Sequence, residues 1–307
     1  MSRIPVTRYY LPMRGAFVPI FLMLLTSTVT AQQRPLITEL PDPIGEGKVR
    51  LELGIEFLQG QQFPLSGLRG DLSRLGVIGG RVGLGPRVEF QAQGTLANFL
   101  NIRRREPAPF SSMLAISGNS STDIGDFLFA TKIKLRDEHG RFPSLSFRAG
   151  AILPNLSNEK GIGIDTTRTF GSFLLGKHFG KTYLFSNLGI IILDNPTQLA
   201  SQSDKFLYGL AFSRPITDRV QLLGEIQGMR GNPHPGTEDT SQVRLGAQIR
   251  AAGLIWDLAG LAGLQKGDAD SGIIFGITRE FQLYKIPSKQ GNTFRFDSIL
   301  FPRRSGN

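Results

Sequence analysis

The feature that most constrains this chain is an alternation that no helix can use. In DIGDFLFATKIKL, Asp123 to Leu135, the residues Phe127, Phe129, Thr131, Ile133 and Leu135 share one parity, while Asp126, Leu128, Ala130, Lys132 and Lys134 share the other. Successive side chains of a β-strand point to opposite faces, so this stretch reads as a strand with one apolar and one charged face. The pattern recurs. In RVQLLGEIQGMR, Val220, Leu222, Gly224, Ile226 and Gly228 alternate with Gln221, Leu223, Glu225 and Gln227. In QVRLGAQIR, Val243, Leu245, Ala247 and Ile249 alternate with Gln242, Arg244, Gly246, Gln248 and Arg250. Convincing helical periodicity is absent.

Strands are expected near 48–59, 72–84, 87–100, 125–136, 143–153, 168–179, 181–193, 204–214, 218–230, 240–250, 253–264 and 271–283. Their connections alternate in length. QGQQFPLSGLRGD, NIRRREPAPFSSMLAISGNSSTDI, PNLSNEKGIGIDTT, DNPTQLASQSD and GNPHPGTEDT alternate with the short GPR, DEHGRF, GK, RPITD and AAG. Long loops on one rim and short turns on the other are the habit of bacterial outer-membrane barrels, whose short turns are periplasmic. Many strands reach the roughly 9–11 residues that a tilted crossing needs, and closure leaves no unpaired strand edge in lipid. The expected fold is therefore all-β: an antiparallel transmembrane β-barrel of twelve strands, with short periplasmic turns and long extracellular loops.

Polarity assigns the faces. A lysine at the lipid midplane costs about 2–4 kcal/mol, so the phenylalanine parity of the opening strand faces lipid, and Lys132 and Lys134 face the lumen. With the following turn centred near His139, Lys132 is expected opposite Ser146 and Lys134 opposite Ser144, which keeps like charges apart. Glu225 and Arg244 are expected to meet inside as an ion pair, and Trp256 and Phe281 to sit near the periplasmic rim in an aromatic girdle. The lumen-lining candidates are Asp126, Lys132, Lys134, Arg148, Glu225, Gln227, Arg244 and Gln248. They either keep a hydrated interior in shape or form a solute site. Phe129→Lys is expected to impair membrane assembly, and Lys132→Glu to leave folding intact and alter ion preference.

The N-terminus reads as an export signal. Arg3, Arg8 and Arg14 precede the apolar run AFVPIFLMLL and then TSTVTA, with a cut after Ala31. The apolar run is shorter than the roughly 20 residues of a spanning helix. The chain then divides into a cleaved signal peptide over 1–31, a periplasmic segment or plug over 32–47, the barrel over 48–284 and a basic tail over 285–307. The tail contains NTFRFDSILF, which would break the even strand count if added to the barrel. Without the leader, 32 bases stand against 25 acids. The bases are interspersed with acids apart from Arg103–Arg104–Arg105 and Arg303–Arg304, so no nucleic acid partner is expected.

Other chemistries find little support. There is no cysteine, hence no thiolate metal site or Cys nucleophile. His139, His178 and His234 share no metal-ligand spacing. GGRVGLG is followed by Pro86 and a strand where a phosphate loop needs a helix. Ser172 and His178 share a face but stand about 20 Å apart by strand rise. No catalytic residue, metal or cofactor is therefore assigned.

One stretch carries a family resemblance. Ile124-Gly125-Asp126, Lys132, the turn ending at Pro143 and the strand closing on Leu153-Pro154 resemble the outer-membrane proteins of the phenol-degradation MetA-pathway family. The resemblance runs from about Asp123 to Phe281, and departs from the usual pattern at Asn155, where the family often has glycine. It implies a transporter-like barrel in the bacterial outer membrane. A barrel of this kind is expected to meet membrane lipid, a small-molecule solute and the barrel-assembly machinery. Two functions follow as expectations. One is a channel for passive passage of small, aromatic or hydrophobic solutes; the other is a non-conducting structural or surface-binding barrel closed by its N-terminal segment or loops.

Overall fold

In a computed structural model, residues 34–198 and 201–284 are described. The signal peptide and the basic tail expected from the sequence lie outside them. Twelve antiparallel strands close into a barrel. In chain order the elements are β1 (Lys48–Phe63), β2 (Leu68–Gly83), β3 (Val88–Arg105), β4 (Ser120–Asp123), β5 (Phe127–Arg136), β6 (Ser144–Leu153) and β7 (Arg168–Phe179). They continue with β8 (Thr182–Asp194), β9 (Gln202–Pro215), β10 (Val220–Gly231), β11 (Thr240–Ala251), β12 (Leu254–Gly263) and β13 (Ser271–Gln282). Each barrel strand pairs with its sequence neighbour, β3 pairing with β5, and β1 closes the ring against β13 from Lys48↔Gln282 to Gln59↔Ser271. No described helix is long and apolar enough to cross a membrane.

All twelve expected strands are present, with two local departures. QGQQFPLSGLRGD is not a long loop: β1 and β2 run on to a turn over residues 64–67, paired from Phe63↔Leu68. Strand residues there pair across bulges between Gly54/Ile55 and Leu58/Gln61, which absorb the extra length. The short β4 lies inside the long connection after β3 and pairs only with β3, outside the closed ring.

The alternation in the sequence becomes an inside and an outside. On β5, Phe129 is 39% exposed on the outer face and Lys132 is 1% exposed on the inner face. Leu53, Phe173, Ile190, Leu210, Leu258 and Ile273 add to an exposed apolar outer surface, as a lipid-facing wall requires. Trp256 and Phe281 are also outward, and Trp256 donates its indole N–H to Ala251 O at 3.3 Å beside the short β11–β12 turn.

The β5–β6 register differs from the expectation. Lys132 lies opposite Arg148 rather than Ser146, and Lys134 opposite Ser146 rather than Ser144. The hairpin turns later, with His139 and Phe142 bridged across Gly140, whose φ of 53° is in the left-handed region, and a bulge between Lys134 and Arg136 then shifts the pairing by one. The later turn and the bulge together move the lysine pairings by two. Both lysines therefore keep their inward face, but Lys132 gains a like-charged neighbour.

Candidate functional site: a lumen ringed by the N-terminal segment

The answer to that like-charge pair comes from outside the strands. Residues 34–47 enter the barrel and follow its inner wall, touching one strand after another, from mid-barrel toward the short-turn rim. Arg34 meets Asp257 of β12 at 3.5 Å. Its guanidinium fits where β1 and β13 carry Gly54 and Gly276, since a Cβ on either would fall 2.0 or 2.6 Å from it. Pro35 O accepts from Arg244 of β11 at 3.0 Å. The N–H groups of Ile37 and Thr38 donate to Glu225 of β10 at 2.9 and 2.7 Å. Thr38 packs on β9, where a Cβ on Gly209 would lie 2.6 Å from its hydroxyl.

Glu39 is the centre of the arrangement. Its backbone N–H and carbonyl pair with the side-chain amide of Asn187 on β8 at 2.7 and 2.8 Å, once that amide is oriented to suit both. Its carboxylate meets Arg81 of β2 at 2.9 Å, Lys132 at 3.3 Å and Arg148 at 3.6 Å. Gln91 of β3 donates to it at 3.3 Å. Lys132 also donates to Leu40 O at 3.0 Å, and Ser146 to Pro41 O. Asp42 accepts from Lys134 and, at 2.9 Å, from the Tyr183 hydroxyl. Ile44 N–H donates to Glu89 at 2.8 Å, and Gly47 N–H to Gly83 O at 2.9 Å. Leu36 and Leu40 of the same segment are buried with Tyr183, Phe185, Ala211 and Leu223 of the wall.

A segment without secondary structure must have its backbone polar groups satisfied when buried. Here side chains of the wall do that, which explains why so many lumen residues are charged or amidic. Both Glu39 and Lys132 are at most 1% exposed. Removing one member of such a group leaves buried charge uncompensated.

Of the residues singled out in the sequence, Lys132, Lys134, Arg148, Glu225, Arg244 and Gln248 all meet this segment or its direct contacts. Glu225 and Arg244 are directly paired, 3.6 Å apart, and Gln248 donates to Arg34 O. Gln227 is half-buried and faces inward one step nearer the long-loop rim, opposite Gln242. Asp126 is apart from the group. It stands just before β5 at the long-loop rim, pairs with Arg168 and accepts from the N–H of Asn155 and Leu156 at 3.0 and 3.3 Å. Sequence reasoning passed over Glu39, Arg81, Glu89, Gln91 and Asp257. The inward parity of the wall residues was readable, but nothing local indicates that Glu39 reaches them.

Toward the long loops the lumen widens into a cavity of about 390 Å³. Leu72, Leu156, Ile162, Leu193 and Met229 line it together with Arg74, Asp126, Arg168 and Glu238. Loop residues Leu114, Ile116, Leu156 and Ile162 pack there on Leu58, Leu68, Leu72 and Leu100 of β1–β3. Burial pushes the Glu238 carboxyl of the β10–β11 loop above its ordinary value. At the opposite rim, Glu138 of the β5–β6 turn accepts from His178 Nδ1 at 2.7 Å and from Lys177 Nζ at 3.0 Å. The hydrogen bond from His178, with that from Lys177, lowers its pKa to about 2.

The fold is that of an outer-membrane β-barrel. The chain is similar to an outer membrane channel from Pseudomonas putida F1, at 13% identity and a TM-score of 0.56, over 78% of this chain and 98% of that one. It is also similar to the translocator domain of the autotransporter NalP from Neisseria meningitidis, at 15% identity and a TM-score of 0.45, over 77% and 89%. No family model and no curated protein matches the sequence.

Proposed function

We propose that this protein is an outer-membrane channel for passive passage of small amphipathic, aromatic or hydrophobic solutes, closed at rest by residues 34–47. The observation that carries the reading is the way the segment is held. It is bound along its length by side chains of separate strands rather than built into the sheet, so it can leave without unpairing the barrel. A wall whose task was only structural would be expected to fill its own lumen with its own side chains.

The lumen supports the solute class. Phe170, Ile191 and Leu193 form an apolar patch with Ala130, and Leu128, Ile152, Leu207 and Met229 pack against it. Charged groups line the lumen beside it, Arg81, Glu89, Lys132 and Arg148 on β2, β3, β5 and β6 and Glu225, Arg244 and Asp257 on β10–β12. A solute with an apolar body and a polar end matches both kinds of surface. The fold shared with a channel, the resemblance to the MetA-pathway family and the exposed apolar belt support an outer-membrane location, with lipid and the barrel-assembly machinery as partners. The alternative, a non-conducting surface-binding or structural barrel, is favoured by the same filled lumen if the segment never leaves.

Planar-bilayer recording separates the two. The full chain is expected to show small, infrequent openings, and a chain lacking residues 34–44 reproducible large steps. A deletion chain that is folded, by its heat-dependent migration on a gel, and still silent would leave the non-conducting reading in place.

A further inference from the structure

The cations around Glu39 do not depend on it alone. Each has a partner in the wall. Arg81 stands 3.4 Å from both Glu52 and Glu89, Lys132 stands 3.2 Å from Glu89, and Arg148 donates from its Nε to Gln91 Oε1 at 2.9 Å. Their strands belong to the closed ring, so the group persists when the segment leaves. Three bases then face two acids, and Lys134, relieved of Asp42, adds a further positive charge offset by Asp137 of the turn. The vacated wall is a site for an anion.

Glu39 fills that site incompletely. One carboxylate oxygen takes Arg81, Lys132 and Gln91, whereas the other makes no hydrogen bond and only an ion contact of 3.6 Å with Arg148. The Nε of Arg81 is likewise buried without a hydrogen bond. The position of a tethered carboxylate is set by its backbone, whereas a free one can settle where both oxygens pair, and bidentate pairing with arginine is the stronger geometry. Apolar side chains flank the charged group. Leu40, Phe185 and Leu223 belong to the neighbouring cluster, and the Arg148 guanidinium lies 4.8 Å from the centre of the Phe170 ring.

We propose that Arg81, Lys132 and Arg148 form a carboxylate-binding site which Glu39 occupies as a tethered stand-in, and that small carboxylates with an apolar body displace it and open the channel. This rests on the gating reading above and adds the substrate class and the trigger. A ligand that binds only the segment-free state shifts the equilibrium toward it in proportion to its occupancy. The tether holds Glu39 at an effective concentration in the millimolar range, so competing solutes bind weakly and leave readily, as passage requires.

The test uses hexanoate as probe, hexanamide as its neutral counterpart and chloride at matched ionic strength. In the full chain, amide hydrogen exchange of residues 37–44 should accelerate about tenfold with hexanoate and remain unchanged with hexanamide or chloride. In a chain lacking residues 34–44, hexanoate should reduce the chloride current, and Arg148→Gln in that chain should abolish the reduction. If the deletion chain conducts but hexanoate acts no differently from hexanamide in both measurements, the carboxylate site is overturned while the gating reading stands. A folded, silent deletion chain overturns the gating reading instead. The exchange measurement needs no substitution, so it decides even if a variant fails to fold.

Discussion

Lys132 and Arg148 stand directly opposite each other on β5 and β6, and the Glu39 carboxylate lies 3.3 Å from the first and 3.6 Å from the second. Two like charges across a strand pair are unfavourable. Here the counter-charge is supplied by a segment more than ninety residues earlier in the chain. The wall and the segment each carry buried charge that the other helps to neutralise, and this links barrel stability to the seating of the segment.

Glu39→Gln should weaken that link without removing the strands. Losing one member of a buried charge group costs up to about 3–5 kcal/mol, less here because Lys132 keeps Glu89. Part of that cost is avoided by releasing the segment, which admits water. The expected outcome is a lower unfolding temperature in detergent together with frequent bilayer openings; unchanged values for both would show that the carboxylate does not hold the segment.

Phe129→Lys and Lys132→Glu should both do damage, but of different kinds. Phe129 faces lipid, where a lysine costs about 2–4 kcal/mol at the midplane, so the folded fraction in lipid vesicles should fall. Lys132→Glu was expected from sequence to spare folding, because a lumen charge seemed free to change. The contacts add a consequence: an acid at 132 would join Glu39 and Glu89 within one buried group. Assembly with segment release is now expected, read out as a folded band on a gel with raised hydrogen exchange over residues 37–44.

Gly83→Ala tests where the segment joins the barrel. A Cβ at Gly83 would lie 1.6 Å from Gly45 O, a collision with backbone that no side-chain rotation relieves. The segment must lift away from β2, and the bond from Gly47 N–H to Gly83 O should be lost. Faster exchange at Gly47, with the outward face and strand count unaltered by circular dichroism, is the expected result.

The Glu138–His178 contact gives the short-turn rim a pH dependence. The folded-state pKa of Glu138 is lowered from 4.5 to about 2, chiefly by the hydrogen bond from His178. The carboxylate's contribution to stability is therefore complete above about 4.5 and is lost as pH falls toward about 2. Urea unfolding of the vesicle-embedded barrel should show the native chain more stable than Glu138→Gln at pH 6, with the gap closing at pH 2. A gap that persists at pH 2 would assign the effect to packing rather than charge.

What the sequence determined by itself was the barrel. Side-chain period and loop length are local properties, and lipid on one side with water on the other makes parity decisive, so twelve strands, their facing and the Glu225–Arg244 pair were legible from single segments. The length of the first hairpin was not, because bulges let β1 and β2 continue through glycine and glutamine that read as loop. The β5–β6 register was missed by two residues for a similar reason: the turn centres after Gly140 rather than near His139, and a bulge between Lys134 and Arg136 offsets the strands. The lumen's contents were decided only by tertiary structure. Residues 34–47 have no period and no motif, and their place follows from the long-range match of one carboxylate and a few backbone groups to charges on separate strands. Such a match exists only after the ring has closed and brought Arg81, Lys132 and Arg148 around a common space.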